Sequence, residues 1–378
     1  MKKQLLLVAF LLISGITLSI VLSATTSTPD TYQENNCTTS SAQFFDVYPV
    51  SYNTSSNDTI ELGKVAWIRN YDVAVQQAKK QGKPIFILFQ EVPGCLNCKR
   101  FGREVMSNPL VVDVIENEFI PLCIFNNKGG ADAQVLKKFR EASWNNPVVR
   151  IINPTGKDIT QRMGSFHPKQ IVNGIADALK KTQHKIPPYF KLLQQQVNAQ
   201  YGSTEKAVFP MYCFWSGELK LGQIKGVVNT KPGFMNGREV VEVQFDKEQT
   251  SFRNLLKTAK KHQAIEGAFV KGEQQKRVAK SEFGQNKFDK VKKTGRFRLD
   301  KEPKYYMSKT QYKHLPMLPL QRIKVNLALY TQQNPQQFLS PSQIQLFKQI
   351  KASKVKLADY SLSDNIIGDW EEVEKKLN

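Results

Sequence analysis

The run that most constrains this chain is Glu91-Val92-Pro93-Gly94-Cys95-Leu96-Asn97-Cys98-Lys99-Arg100. An unbroken apolar stretch, Pro84 to Phe89, leads into it, and a helical-looking segment, Lys99 to Met106, leads out. An apolar stretch of that length bounded by turn residues reads as a buried strand. Strand, Pro-Gly turn, Cys-x-x-Cys and helix, in that order, set Cys95 at a helix N-terminus. There unpaired main-chain N–H groups and the helix dipole favour a thiolate over a thiol. Lys99 and Arg100 are expected to add positive charge beside it. A thiolate attacks disulfides, and Cys98, one turn further on, can close on Cys95 and release the product. Cys95 is thus the expected nucleophile and Cys98 the expected resolving thiol.

A Cys-x-x-Cys has two other uses. As half of a zinc site it needs a second pair of ligands. The remaining cysteines, Cys37, Cys123 and Cys213, are scattered and form no second Cys-x-x-Cys. As a structural disulfide it would close a loop too short to restrain the unfolded chain much. The strand-then-helix context favours redox chemistry, with no metal and no cofactor.

The chain has 378 residues, enough for about two domains. Its formal charge of +21 raises the question of nucleic acid. The basic residues, however, are spread as pairs such as Lys79-Lys80, Lys180-Lys181 and Lys292-Lys293, with no accompanying nucleic-acid motif. Solvated faces, attractive to an anionic surface, are the better reading, and no nucleic-acid partner is expected. No nucleotide-binding loop and no metal-spaced His cluster is present, with only 4 His in all.

Residues 1–24 carry a positive start, Met1-Lys2-Lys3, then an apolar run from Leu5 to Leu22 and small residues at Ser23-Ala24. This is the pattern of an export signal, either cleaved or kept as a membrane anchor. The expected location is periplasmic or extracellular, where a Cys-x-x-Cys is kept reduced by a partner or acts as an oxidant. Residues 25–60, rich in Ser, Thr and Asn, read as a flexible spacer holding Cys37. Asn36, Asn53 and Asn57 there match glycosylation triplets.

Residues 61–185 read as helix Asp72–Gln81, strand Ile85–Phe89, and a helix running from the cysteine pair through Met106 and on to Glu118. Strand Phe119–Phe125 and helix Ala131–Ala142 follow, then strand Val148–Ile152 with a hairpin at Asn153-Pro154-Thr155-Gly156, and a closing helix to Lys181. Cys123, inside an apolar run, reads as an inert core thiol. This β-α-β-α-β-β-α order, with the cysteine pair where it stands, resembles the thioredoxin-like family and implies its α/β fold. By that resemblance Pro147 matches the cis-proline that faces the cysteines and docks extended substrate. Val92-Pro93-Gly94-Cys95 also resembles a group of exported thioredoxin-like proteins with selenocysteine at the Cys95 position, in a Val-Pro-Gly-Sec-x-x-Thr motif. Here both reactive positions are Cys.

After a polar connector helix at residues 186–203, a second domain is expected over 204–330 and a helical, charged tail over 331–378. Strand Ala207–Pro210 meets a helix at Cys213-Phe214-Trp215, and Arg238–Asp246 alternates as a strand should. Residues 263–303, Lys-rich and without apolar periodicity, read as a long loop, and Leu315–Leu320 as a rigid apolar linker.

The run from Lys206 to His262 resembles peptide methionine sulfoxide reductase A, an α+β, ferredoxin-like fold. The resemblance implies Cys213 as nucleophile on a sulfoxide sulfur, Phe214 and Trp215 as the wall for the substrate methyl group, and Glu239 as the acid. Such chemistry needs that set, because a sulfoxide oxygen leaves only once protonated. The product, a sulfenic acid on Cys213, must be reduced by another thiol. Tyr212 stands where the family has glycine, and after His262 the family's Gly-x-Asp…Gln-Tyr-Arg run finds no match, leaving an Asp and a Tyr of the family unplaced; Tyr305-Tyr306-Met307-Ser308-Lys309 faintly resembles the family's later Tyr-rich segment.

No Cys follows Cys213, so the Cys95/Cys98 pair is the natural reductant for it. The expected activity is that of an exported thiol-disulfide oxidoreductase acting on protein disulfides and supplying electrons for methionine sulfoxide reduction in proteins. The alternative is a second domain without chemistry that serves to bind partner proteins.

Overall fold

The computed structural model describes residues 59–285, 289–359 and 363–378. The export segment, the glycosylation triplets and Cys37 lie outside them. Among the described residues no helix is long and apolar enough to cross a membrane.

The first sheet forms around β1 (Ile85–Gln90), every residue of which is buried. It pairs in parallel with β2 (Ile120–Phe125) and antiparallel with β3 (Val148–Ile152), giving the order β2-β1-β3. A strand with both faces covered needs no polar alternation, which is why Ile85-Phe86-Ile87-Leu88-Phe89 is continuously apolar. The hairpin partner expected after β3 is reduced to single bridges, Ile152 to Asp158 and Val149 to Met163.

Helix α1 (Tyr71–Gln81) starts where Asn70 Oδ1 accepts from the Val73 N–H, and stops at Gly82, whose φ of 67° is left-handed. The expected continuous helix through Glu118 does not form. Helix α2 (Leu96–Phe101) runs into a wide turn, Gly102–Met106, and α3 (Pro109–Glu118) begins afresh. Pro109 has no N–H to donate and bars Asn108 from helical geometry, so Asn108 caps α3 instead, accepting from Leu110 at 3.0 Å. Helices α4 (Gly130–Phe139) and α5 (Pro168–Lys181) complete this half.

Helix α6 (Pro188–Gln200) is not a polar connector. Tyr189, Phe190, Leu193 and Val197 enter the first core, while Leu192 enters the second.

The second sheet has the order β8-β7-β4-β6-β5-β9. Its centre is β4 (Thr204–Pro210), β6 (Arg238–Asp246) and β5 (Val227–Met235), all antiparallel. Helices α7 (Phe214–Leu221) and α8 (Phe252–Lys261) accompany them. Residues 263–303 are not a loop. They hold β7 (Ala268–Val270), α9 (Gly272–Phe283), β8 (Val291–Lys293) and β9 (Arg298–Leu299). The strands are short, and α9 buries only Gln275 and Ala279, so no periodic stripe marks them in the sequence.

Helix α10 (Tyr305–Ser308) leads to α11 (Pro319–Tyr330), α12 (Pro341–Ala352) and α13 (Ile366–Leu377). The apolar stretch before α11 is core rather than linker: Leu315 and Met317 pack with Leu346, Ile350 and Val373. The last helices dock on the first half. Buried Asp113 of α3 accepts from the Ser342 N–H at 3.1 Å and from Ser342 Oγ at 2.5 Å, holding the N-terminus of α12.

Candidate functional site

Cys95 is the N-cap of α2, at the C-terminal end of β1. Gly94 permits the sharp approach: a Cβ there would lie 2.3 Å from Glu91 O and 2.7 Å from Cys98 Cβ. Cys95 is exposed, Cys98 buried, and their sulfurs stand 3.4 Å apart. Burial pulls the Cys95 thiol upward, but the N–H groups of Cys98 and Asn97 and the Cys98 thiol outweigh it, leaving Cys95 below the ordinary thiol value. Burial and the hydrogen bond to Cys95 push Cys98 up to about 12. The exposed sulfur is therefore the more readily ionised of the two, and the buried sulfur holds its proton, donated to Asn146 Oδ1 at 2.6 Å.

The expected help from nearby cations is absent among the groups that shift Cys95. Arg100 turns to Glu104, one turn along, at 2.9 Å. What lowers Cys95 is the main chain of Cys98 and Asn97 together with the Cys98 thiol. The Asn146–Pro147 peptide is cis and follows directly on the Cys98 contact. Leu96 and Trp144 leave 80% and 82% of their surface exposed near this pair, an apolar rim suited to an extended peptide. Cys123 is fully buried in β2 and pushed up to about 12 by that burial.

A second thiol occupies a like position. Cys213 caps α7 just after β4 and is half-buried. Glu239, near the start of β6, accepts from the Phe214 N–H at 2.9 Å, so the acid and the thiol share one helix N-terminus. Phe214 is buried against Phe234, with ring centroids 5.3 Å apart. Tyr212 is 89% exposed beside the thiol.

Two residues join this site, Asp300, which the sequence did not single out, and Tyr305, from the segment that faintly resembles the family's Tyr-rich run. Trp215 Nε1 donates to Asp300 Oδ2 at 3.2 Å, and its ring stacks on Tyr305 at 4.0 Å. Tyr306 lies next in the chain; burial, then the Tyr330, Cys213 and Tyr305 groups, raise its hydroxyl. Asp300 and Tyr305 thus both lie against Trp215. Strand β9 delivers them by pairing with Gly233 and Phe234 of β5. Gly233 is required there, since a Cβ would meet Arg298 O at 2.4 Å.

Beneath the site lies a buried network. Lys304 Nζ donates to Glu218 Oε1 and to Thr230 O, each at 2.6 Å, and the Lys304 N–H donates to Glu218 Oε2 at 3.1 Å. It fastens the segment bearing Tyr305 to the helix bearing Cys213.

Chemically, the first site can exchange a dithiol for a disulfide. The second offers one thiol, one carboxylate and an aromatic wall, enough for attack on a polarised sulfur. For metal, Glu91, Cys95 and Cys98 form the one group of three such donors within 4.8 Å of one another among the described residues.

Comparison with known proteins agrees with this division. Residues 66–154 match the thioredoxin-like family model. The chain is 28% identical over 139 residues to peptide methionine sulfoxide reductase MsrA 1 of Nostoc sp., covering 29% of this chain and 83% of that protein. It is 39% identical over 71 residues to the mitochondrial peptide methionine sulfoxide reductase of Bos taurus (14% of this chain, 30% of that one). Over 35 residues it is 57% identical to MsrA of Methanococcus maripaludis (9% and 22%). It thus spans most of the first relative's length and less than a third of the other two.

Proposed function

We propose that this oxidoreductase, a thioredoxin-like domain joined to a domain similar to peptide methionine sulfoxide reductase A, is an exported dithiol reductant that feeds its own sulfoxide-reducing site. The observation that carries the reading is the asymmetry of its two capped thiols. Cys95 has a partner sulfur 3.4 Å away, whereas Cys213 shares its helix end with a carboxylate.

In the first step the Cys213 sulfur attacks the sulfoxide sulfur of a methionine sulfoxide side chain. Glu239 protonates the departing oxygen, against a wall of Phe214 and Trp215, while Asp300 holds the indole. Methionine is released as the oxygen passes to Cys213, leaving Cys213–SOH. Cys95 attacks that sulfur, water leaves, and a Cys95–Cys213 disulfide forms. Cys98 then attacks Cys95, freeing Cys213 and closing the Cys95–Cys98 disulfide, which an external dithiol reductant reopens. The same pair would reduce protein disulfides docked along Pro147, Leu96 and Trp144. The charged start and apolar run of residues 1–24 support export to the periplasm or beyond, with retention at the membrane if the segment is not cleaved.

Replacing Cys98 by Ser blocks the last step. With a methionine-S-sulfoxide peptide, Cys98→Ser should accumulate a Cys95–Cys213 disulfide detectable by peptide mapping, and its absence would refute the relay. Cys213→Ser should abolish sulfoxide turnover while sparing insulin reduction. Equal sulfoxide turnover in wild type and Cys213→Ser would leave the second domain a binding module.

A further inference from the structure

Sequence reasoning excludes zinc for want of a second ligand pair, but the fold supplies a third donor from the end of β1. The Glu91 carboxylate and the Cys95 and Cys98 sulfurs all lie within 4.8 Å of one another. Among the described residues no hydrogen bond or ion pair reaches the Glu91 carboxylate. A carboxylate and two thiols that lose their protons on binding make a donor set suited to a thiophilic divalent cation.

The geometry also fits. Tetrahedral zinc, with bonds of about 2.3 Å to sulfur, holds two thiolates roughly 3.8 Å apart. The sulfurs here stand at 3.4 Å, so small side-chain rotations suffice. Cys98 is buried, Glu91 half-buried and Cys95 exposed, which leaves an open side for entry and for a water as fourth ligand. Asn146, now accepting from Cys98, can turn its amide to donate to the thiolate once the proton has gone.

We propose that Glu91, Cys95 and Cys98 of the reduced chain bind one thiophilic divalent cation of the zinc class, which occupies the dithiol and blocks its chemistry. Binding releases the thiol protons and transfers no electrons. It excludes the disulfide, since a bond of about 2.05 Å between the sulfurs leaves no thiolate to donate. The cation would then hold the pair reduced but silent until removed.

The site rests on the donor geometry alone, so its test is independent of substrate. The reduced full chain, free of oxygen, is titrated with Cd2+ and followed by the ultraviolet thiolate-to-cadmium band. One equivalent should saturate it. The band should vanish in Cys95→Ser/Cys98→Ser and in the oxidised chain. Glu91→Gln should bind at least about tenfold more weakly, and Glu91→His, which restores a ligand, should recover affinity. Zn2+ should likewise inhibit wild-type insulin reduction at about tenfold lower concentration than it inhibits Glu91→Gln. No band, a band surviving in the double Ser variant, or Glu91→Gln binding as tightly as wild type would each overturn the proposal. Failure to reduce insulin without metal would overturn the function proposed above and leave the cadmium result standing.

Discussion

The Glu218–Lys304 pair offers the sharpest energetic test of this structure. Lys304 is 3% exposed and Glu218 2% exposed. Glu218 accepts from the Lys304 ammonium and N–H and from Thr230 Oγ1, the last at 3.0 Å. Burial lowers the Lys304 ammonium below its ordinary value even against the attraction of Glu218. Changing Lys304 to Met preserves much of the side-chain volume but leaves the carboxylate buried without its cation and the Thr230 carbonyl without its donor. Removing one member of such a pair costs about 3–5 kcal/mol. Making Glu218→Gln as well removes the stranded charge, and the Gln carbonyl oxygen can still accept from either Thr230 Oγ1 or the residue 304 N–H. The double variant should therefore recover at least about 2 kcal/mol of that loss. Urea unfolding followed by circular dichroism measures both, and Trp fluorescence reports whether the stack of Trp215 on Tyr305 survives. If Lys304→Met costs less than about 1 kcal/mol and the two changes simply add, the network does not hold the site together.

Two further outcomes follow from the first half. Alkylation of the reduced chain by iodoacetamide should modify Cys95 first, its rate rising with pH through a midpoint below the ordinary thiol value while Cys98 stays protonated; equal labelling of both by mass spectrometry would contradict the assignment. Asp113→Ala removes two charge-assisted bonds to Ser342 and should cost about 2–4 kcal/mol, with faster hydrogen exchange confined at first to residues 341–352; unchanged exchange there would show that Asp113 does not hold α12.

Local order made the first site readable. A buried strand, a Pro-Gly turn and a capped helix are neighbours in the chain, so Cys95 declared its surroundings. Cys213 stood at a strand-to-helix junction, but its role and those of Phe214, Trp215 and Glu239 came only from the resemblance to peptide methionine sulfoxide reductase A, since an acid on an alternating strand by itself reads as solvated. Asp300 and Tyr305 were harder to read. They reach Trp215 across 85 residues from a strand of two residues, and a pairing that short leaves no periodic trace. The faint likeness of Tyr305-Tyr306 to the family's Tyr-rich segment was the one available signal, and it said nothing of Asp300. Lys304 gave no signal for another reason: a lysine is ordinarily a surface residue, and only the fold brings it to Glu218. The charge of Lys99 and Arg100 misled, because Glu104 sits one helical turn from Arg100.

Helix α6 changes how the two halves work as a pair. A leash would let one thiol search for the other, with encounter set by chain statistics. A helix with side chains in both cores is a strut. The path from Cys95 to Cys213 is accordingly fixed by architecture: electrons pass within a molecule at a rate indifferent to dilution, or between two molecules at a rate proportional to concentration. Lengthening the strut by a helical turn would change the first and leave the second untouched.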